Sequence, residues 1–121
     1  MFKKLEVNGV HTKLDDDIKE YVNKKIGGLD IYLSSHSVKS AHVEVFLKEV
    51  NRSDNNSFQC EVEIHLPKQN IFVKENALSL KAAVDVSEGK LKTQLKKYKD
   101  AHEIGKNKRH LIGRFIKKTD K

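Results

Sequence analysis

Residues 82–100 read AAVDVSEGKLKTQLKKYKD. Val84, Ser87, Leu91, Leu95 and Tyr98 recur every three or four residues, the spacing of one helix face. Extended back to Leu80 and on to His102, the seam predicts a helix from Leu78 or Ser79 to about residue 102. At about 1.5 Å per residue it is roughly 35 Å long. Stepping about 100° per residue from Leu91 places Lys81, Lys92, Lys96 and Lys99 on one flank, and Lys90 and Lys97 on the other beside Thr93 and Gln94. Long lysine stems cover apolar surface while their ammonium heads stay wet. Carboxylates are scarce from 89 to 99, so these lysines have no local ion-pair partners and offer their field to phosphates.

That helix needs a surface to pack on, and two alternating stretches supply it. In residues 41–47, Ala41, Val43, Val45 and Leu47 oppose His42, Glu44 and Phe46. In residues 58–66, Phe58, Cys60, Val62, Ile64 and Leu66 oppose Gln59, Glu61, Glu63 and His65. Both read as half-buried strands with one wet face. NRSDNN at 51–56 is the loop between them, and Pro67 to Asn70 turns into a last strand at about 71–74. Upstream, Leu5 and Val7 alternate in a strand over 2–9 that Asn8-Gly9 closes with a turn. Asp15 caps an amphipathic helix from about 15 to 33, carried by Leu14, Ile18, Val22, Ile26 and Leu29 and weakened at Gly27-Gly28.

The order is therefore β-α-β-β-β-α. The first β-α-β unit calls for a right-handed crossover between parallel strands, and the later strands for an antiparallel meander. The expected fold is α+β: one four-stranded mixed sheet with two helices packed on one face. Residues 1–103 form one domain, and residues 104–121 a basic, flexible tail expected to order on a partner.

The chain of 121 residues carries a formal net charge of +7. The balance is −2 over residues 1–89 and +9 over residues 90–121, so the whole excess lies in the last quarter. A concentrated basic region points to a polyanion, nucleic acid before membrane. Lysines without a dense aromatic set favour backbone contact over base readout. Glu44, Glu61 and Glu63 put negative charge on the opposite sheet face, which is expected to turn away from RNA.

Cys60 lies in an apolar row and reads as a small core residue. With one cysteine, no signal peptide and no apolar run of membrane length, the chain is expected to be soluble and cytoplasmic. Asp15–Asp17 are explained by capping and the helix dipole. His42, Glu44, Glu61, Glu63 and His65 share the wet sheet face, where solvated cross-strand pairs are favoured over a metal. Nucleophile elbows, zinc-protease motifs and phosphate-binding loops are absent from the sequence, so no enzyme and no cofactor is expected. The short apolar face of Leu111, Ile112, Phe115 and Ile116 is too small for a firm membrane anchor.

Residues 82–100 resemble the ribosome hibernation-promoting factors, also called ribosome-associated inhibitors, in their Ala-Val-Asp, Lys-Leu, Gln-Leu and Lys-x-Lys pattern. LEVNG at 5–9 and LDDDIKEYVNKKIGGLDIYL at 14–33 extend the resemblance over residues 2–102. Gly28, Lys81, Gly89 and Thr93 depart from the usual pattern. The resemblance implies a factor that binds ribosomal RNA in the decoding region of the small subunit, blocks messenger and transfer RNA, and silences ribosomes under stress or in stationary phase. It implies RNA contacts at Lys19, Lys25, Lys90, Lys97 and Lys99; charge adds Lys92 and Lys96, and in the tail Lys108, Arg109 and Arg114. The separate C-terminal domain of long family members is not seen in this chain, so pairing of two ribosomes through it is not expected, and the protein is expected to be a monomer off the ribosome. Two other readings fit charge and pattern: a general double-stranded-RNA-binding domain, and a protein-interaction module that modulates transcription.

Overall fold

The computed structural model describes residues 1–51 and 56–103. Strand β1 is Leu5–Val10, helix α1 Asp16–Lys25, and a tight 3₁₀ segment Gly27–Tyr32 follows. Helix α2 is Ser35–Ser40, and strands β2, β3 and β4 are His42–Asn51, Asn56–His65 and Asn70–Ala77. Helix α3 is Leu80–Tyr98, continued by a wider π-type turn at Lys99–Glu103. The sheet has four strands in the order β1-β2-β3-β4. β1 runs parallel to β2, and the other neighbours are antiparallel, so this is a mixed α+β sheet.

Alternation decides the buried face. Val43, Val45 and Leu47 of β2 stand opposite Ile64, Val62 and Cys60 of β3, and Ile71 and Val73 of β4 continue the rows. All eight are buried. Ile18 and Val22 from α1 join the same core as Val84, Leu91, Leu95 and Tyr98 from α3. At roughly 1.5–3 kcal/mol for each fully buried aliphatic side chain, this shared core is the main term holding helices to sheet.

Each helix starts where a side chain satisfies its first free amide. Asp15 accepts from the Ile18 N–H at 2.9 Å, and Ser79 from the Ala82 N–H at 3.1 Å. Asp16 and Asp17 add negative charge in the first turn of α1, and Lys24 and Lys25 positive charge in its last.

Four expectations change. The helix expected over 15–33 stops at Lys25, just before the helix-weakening pair Gly27-Gly28, where the Gly27 carbonyl accepts from the Phe2 N–H at 3.1 Å. The chain tightens to three residues per turn, which still buries Leu29 and Leu33. The short α2 was not foreseen. It lacks an apolar stripe and rests on its Ser34 cap, whose hydroxyl accepts from the Ser37 N–H at 3.2 Å. β1 runs through Asn8-Gly9 instead of turning there, since both pair with β2; the reversal comes at His11, whose φ is 56°. Gly9 is needed for close approach, because a Cβ there would meet the Thr12 carbonyl oxygen at 2.5 Å. Finally, β2 and β3 run on past the expected 47 and 58 into the expected loop, where Asn51 and Asn56 pair with each other, and β4 outruns 71–74 at both ends.

The end of α3 also differs from an ideal seam. Tyr98 is buried and its hydroxyl accepts from the Lys68 N–H at 3.3 Å. His102 is exposed, with its ring 4.8 Å from that of Tyr98 and its Nε2 3.2 Å from Gln69 Oε1. It closes the helix end against the β3–β4 turn instead of filling the core.

Candidate nucleic-acid interface

α3 packs across β3 and β4, with α1 and the 3₁₀ segment beside it. The contacts between them identify which flank of α3 faces α1. Tyr21 of α1 donates its hydroxyl hydrogen to Asp85 of α3. Lys25 Nζ lies 3.8 Å from Asp85 and 3.9 Å from Glu88. Lys81 Nζ stands 5.3 Å from the Tyr21 ring centre, Lys25 Nζ 5.6 Å from the same centre, and Lys96 Nζ 5.6 Å from that of Tyr32. Tyrosine faces attract these cations through the ring quadrupole. The bond to Asp85, then desolvation, then the charges of Asp85 and Glu88 raise the pKa of Tyr21.

This seam divides α3 in two. Beside its first half, acidic and basic groups share a cleft between the helices lined by Asp17, Glu20, Tyr21, Lys24 and Lys81, and Asp85 and Glu88, the carboxylates of α3 itself, lie against Lys25 of α1. In its second half and the turn that follows, Lys90, Lys96, Lys97 and Lys99 are exposed and Lys92 is half-buried. Exposed lysines concentrated at one helix end are a surface for phosphates, each contact releasing condensed counterions.

The expected site residues are therefore not one cluster. Lys92 and Lys96 share the α1-facing flank with Lys81 and Lys99 on ideal helical steps, while Lys90 and Lys97 project on the flank turned from α1. Lys25 lies at the α1–α3 seam but is ion-paired there. Lys19 is exposed and, relative to buried Val22, falls on the side of α1 away from Tyr21 and Lys25. Lys108, Arg109 and Arg114, with the whole tail 104–121, lie outside the described residues. Residue-by-residue reading missed Tyr21, Tyr32, Asp85 and Glu88 as the groups that arrange the lysines. The signals were Tyr21 and Lys25 one turn apart and Asp85 and Glu88 three residues apart, both on helix flanks.

The other face of the sheet has the opposite character. Glu6, Glu44 and Glu63 stand in register across β1, β2 and β3. One step along the same face, His42 is directly opposite His65. His65 Nε2 lies 3.2 Å from Glu44 and 3.7 Å from Glu63, and His42 Nε2 lies 4.0 Å from Glu6. No helix among the described residues is long and apolar enough to cross a membrane.

Known proteins share this architecture. The Thermus thermophilus Protein Y N-terminal domain superposes with a TM-score of 0.65 at 27% identity, covering 77% of this chain and 94% of that one. A ribosomal subunit interface protein from Coxiella burnetii has the same fold, with a TM-score of 0.64 at 20% identity over 79% of this chain and 97% of the other. In sequence, a ribosome hibernation promotion factor of Staphylococcus aureus (strain COL) is 30% identical over 96 residues, 79% of this chain and 48% of that protein. The protein of that name from Lactococcus lactis subsp. cremoris (strain MG1363) is 29% identical over 98 residues, 79% of this chain and 49% of its own length. The chain thus spans about half the length of the curated relatives it matches. The model of the family described as Sigma 54 modulation protein / S30EA ribosomal protein matches residues 5–103, nearly all of the described fold, and the chain belongs to that family.

Proposed function

We propose that this chain is a ribosome hibernation factor that binds small-subunit ribosomal RNA at the decoding region and blocks translation by occupancy, without chemistry of its own. The observation that carries the reading is the concentration of Lys90, Lys92, Lys96, Lys97 and Lys99 on the two flanks of one helix end, four of them exposed. The family match and the relatives named ribosome hibernation promotion factor support ribosomes as the source of the polyanion. α3 projects lysines on both flanks of its core stripe, so the helix lies between RNA backbones and meets phosphates on each side. Binding of this kind reads backbone shape more than base sequence. The protein works in the cytoplasm as a monomer off the ribosome, with the acidic sheet face turned away from RNA.

The test is co-sedimentation of the purified chain with ribosomes on sucrose gradients at low and high salt, beside Lys90→Glu/Lys97→Glu. Salt-sensitive comigration with small subunits and whole ribosomes, lost in the variant while its circular dichroism is unchanged, is the expected result. Full inhibition of translation by the variant refutes the site. A chain that stays at the top of the gradient in every salt refutes the function. Equal affinity for long naked RNA duplex at physiological salt would instead identify a general duplex binder.

A further inference from the structure

The open sheet face holds a charge pattern that RNA binding does not use. Glu6, Glu44 and Glu63 are cross-strand neighbours on three adjacent strands, and Phe72 of β4 completes their row. Like charges directly opposite on a sheet repel. The cations of this face do not relieve them: Lys74 stands opposite Glu61 and Lys48 opposite Gln59, both in other rows. Among the described residues, the groups that meet the three carboxylates within 4.0 Å are the imidazoles of His42 and His65. Two sets follow, Glu6–His42–Glu44 and Glu44–Glu63–His65, sharing Glu44. In each, the three ligand atoms lie within 4.8 Å of one another.

We propose that Glu44, Glu63 and His65 form a binding site for a divalent cation of the zinc class on the open face of the sheet. One imidazole nitrogen with carboxylate oxygens is a donor set that suits zinc and its neighbours. Donor atoms bound to one zinc ion at about 2.0–2.2 Å from it lie no more than roughly 4.4 Å apart. The His65 contacts at 3.2 and 3.7 Å already meet that limit. The three residues are half-buried on paired strands, so their backbones are held by the ladder and only side-chain torsions need adjust. A dication replaces the repulsion between Glu44 and Glu63 with attraction to both, and solvent supplies the remaining coordination. Glu6 and His42 then flank the site through the shared Glu44. This inference stands apart from the ribosomal one, because the site lies on the other face of the sheet from α3.

The experiment is isothermal titration of the full chain with ZnCl2 in chelator-free buffer, paired with thermal melts with and without the metal. Wild type is expected to bind one equivalent through this site and to melt at a higher temperature with zinc. His65→Ala and Glu63→Gln, checked for unchanged circular dichroism, should each weaken binding by about tenfold or more. His102→Ala, at the far end of α3, should bind as wild type does. No zinc response overturns the proposal. Zinc binding that survives in both His65→Ala and Glu63→Gln overturns it too, by placing the metal on other histidines. Stabilisation on mild acidification with no zinc response identifies histidine–carboxylate pairing instead and also overturns it.

Discussion

The helix side and the open sheet face use charge in opposite ways. On α3, lysines stand on either side of a buried stripe, and Asp85 and Glu88 of the same helix lie against Lys25 at the α1 seam. On the sheet, three glutamates are lined up by strand register and meet only imidazoles within 4.0 Å among the described residues. Helical spacing spreads like charges around a cylinder, where water screens them. Sheet register stacks them side by side. The same core therefore separates a surface suited to a polyanion from one suited to a cation.

The comparison breaks most sharply by charge reversal. Lys92→Glu/Lys96→Glu should remove ribosome co-sedimentation at physiological salt and flatten its salt dependence, each lost phosphate contact lowering the logarithmic slope by roughly 0.7–0.9. Glu61→Lys on the other face should leave both unchanged. Tighter binding by Glu61→Lys beside the loss in the α3 variant, measured on the same gradients, would mean that net charge and not the placement on α3 governs binding.

The two faces share one core, so removing its centre should affect both. Leu91→Ala is expected to lower unfolding free energy by about 2–5 kcal/mol in urea titrations. A smaller loss would show α3 to be held by its flanks more than by its stripe.

Cys60 and Ser87 join the sheet to α3. Burial pushes the Cys60 thiol up from 9.0 to about 11, with Ser87 pulling the other way. Among the described residues, the buried Ser87 hydroxyl has no partner of regular hydrogen-bond geometry. Because the folded value exceeds the unfolded one, this contribution is complete below pH 9 and is lost as pH rises through about 11. Stability should decline over that window by up to roughly 2–3 kcal/mol from this group, at about 1.36 kcal/mol per pH unit. The urea midpoint of Cys60→Ala, followed over the same pH range, should decline less; parallel curves would remove Cys60 as a cause.

The smallest expected effect sharpens the sheet side. Without metal, Glu6→Gln removes one charge from the carboxylate row and should raise stability by about 0.2–1 kcal/mol in denaturant melts. A loss instead would mean that the Glu6–His42 pair outweighs the repulsion.

Much of the fold could be read from periodicity. The alternations around Val45 and Val62 and the seam from Val84 to Tyr98 are local consequences of pleat and helix pitch, and they locate strands and helix without any partner. Punctuation was less legible. Asn8-Gly9 is a turn signal, yet the parallel ladder with β2 outweighs it, and the turn is deferred to His11. Gly27-Gly28 marked the weakness at which the first helix ends, but the contact of the Gly27 carbonyl with the Phe2 N–H joins residues far apart in sequence. α2 has too little apolar pattern to be seen.

The candidate site divides along the same line. Sequence alone determined that α3 carries lysines on both flanks of an apolar stripe, that positive charge concentrates from residue 90 onward, and that the sheet has an acidic face. Helical and strand periods set those features within one element, so they need no knowledge of the rest. Only the tertiary structure decided that Lys25 is neutralised by Asp85 and Glu88, that Tyr21 and Tyr32 carry Lys81 and Lys96, and that Glu6, Glu44 and Glu63 share one row. Each of those pairings joins side chains distant in the chain, and the packing of α1 beside α3 or the register of β1, β2 and β3 brings them within reach.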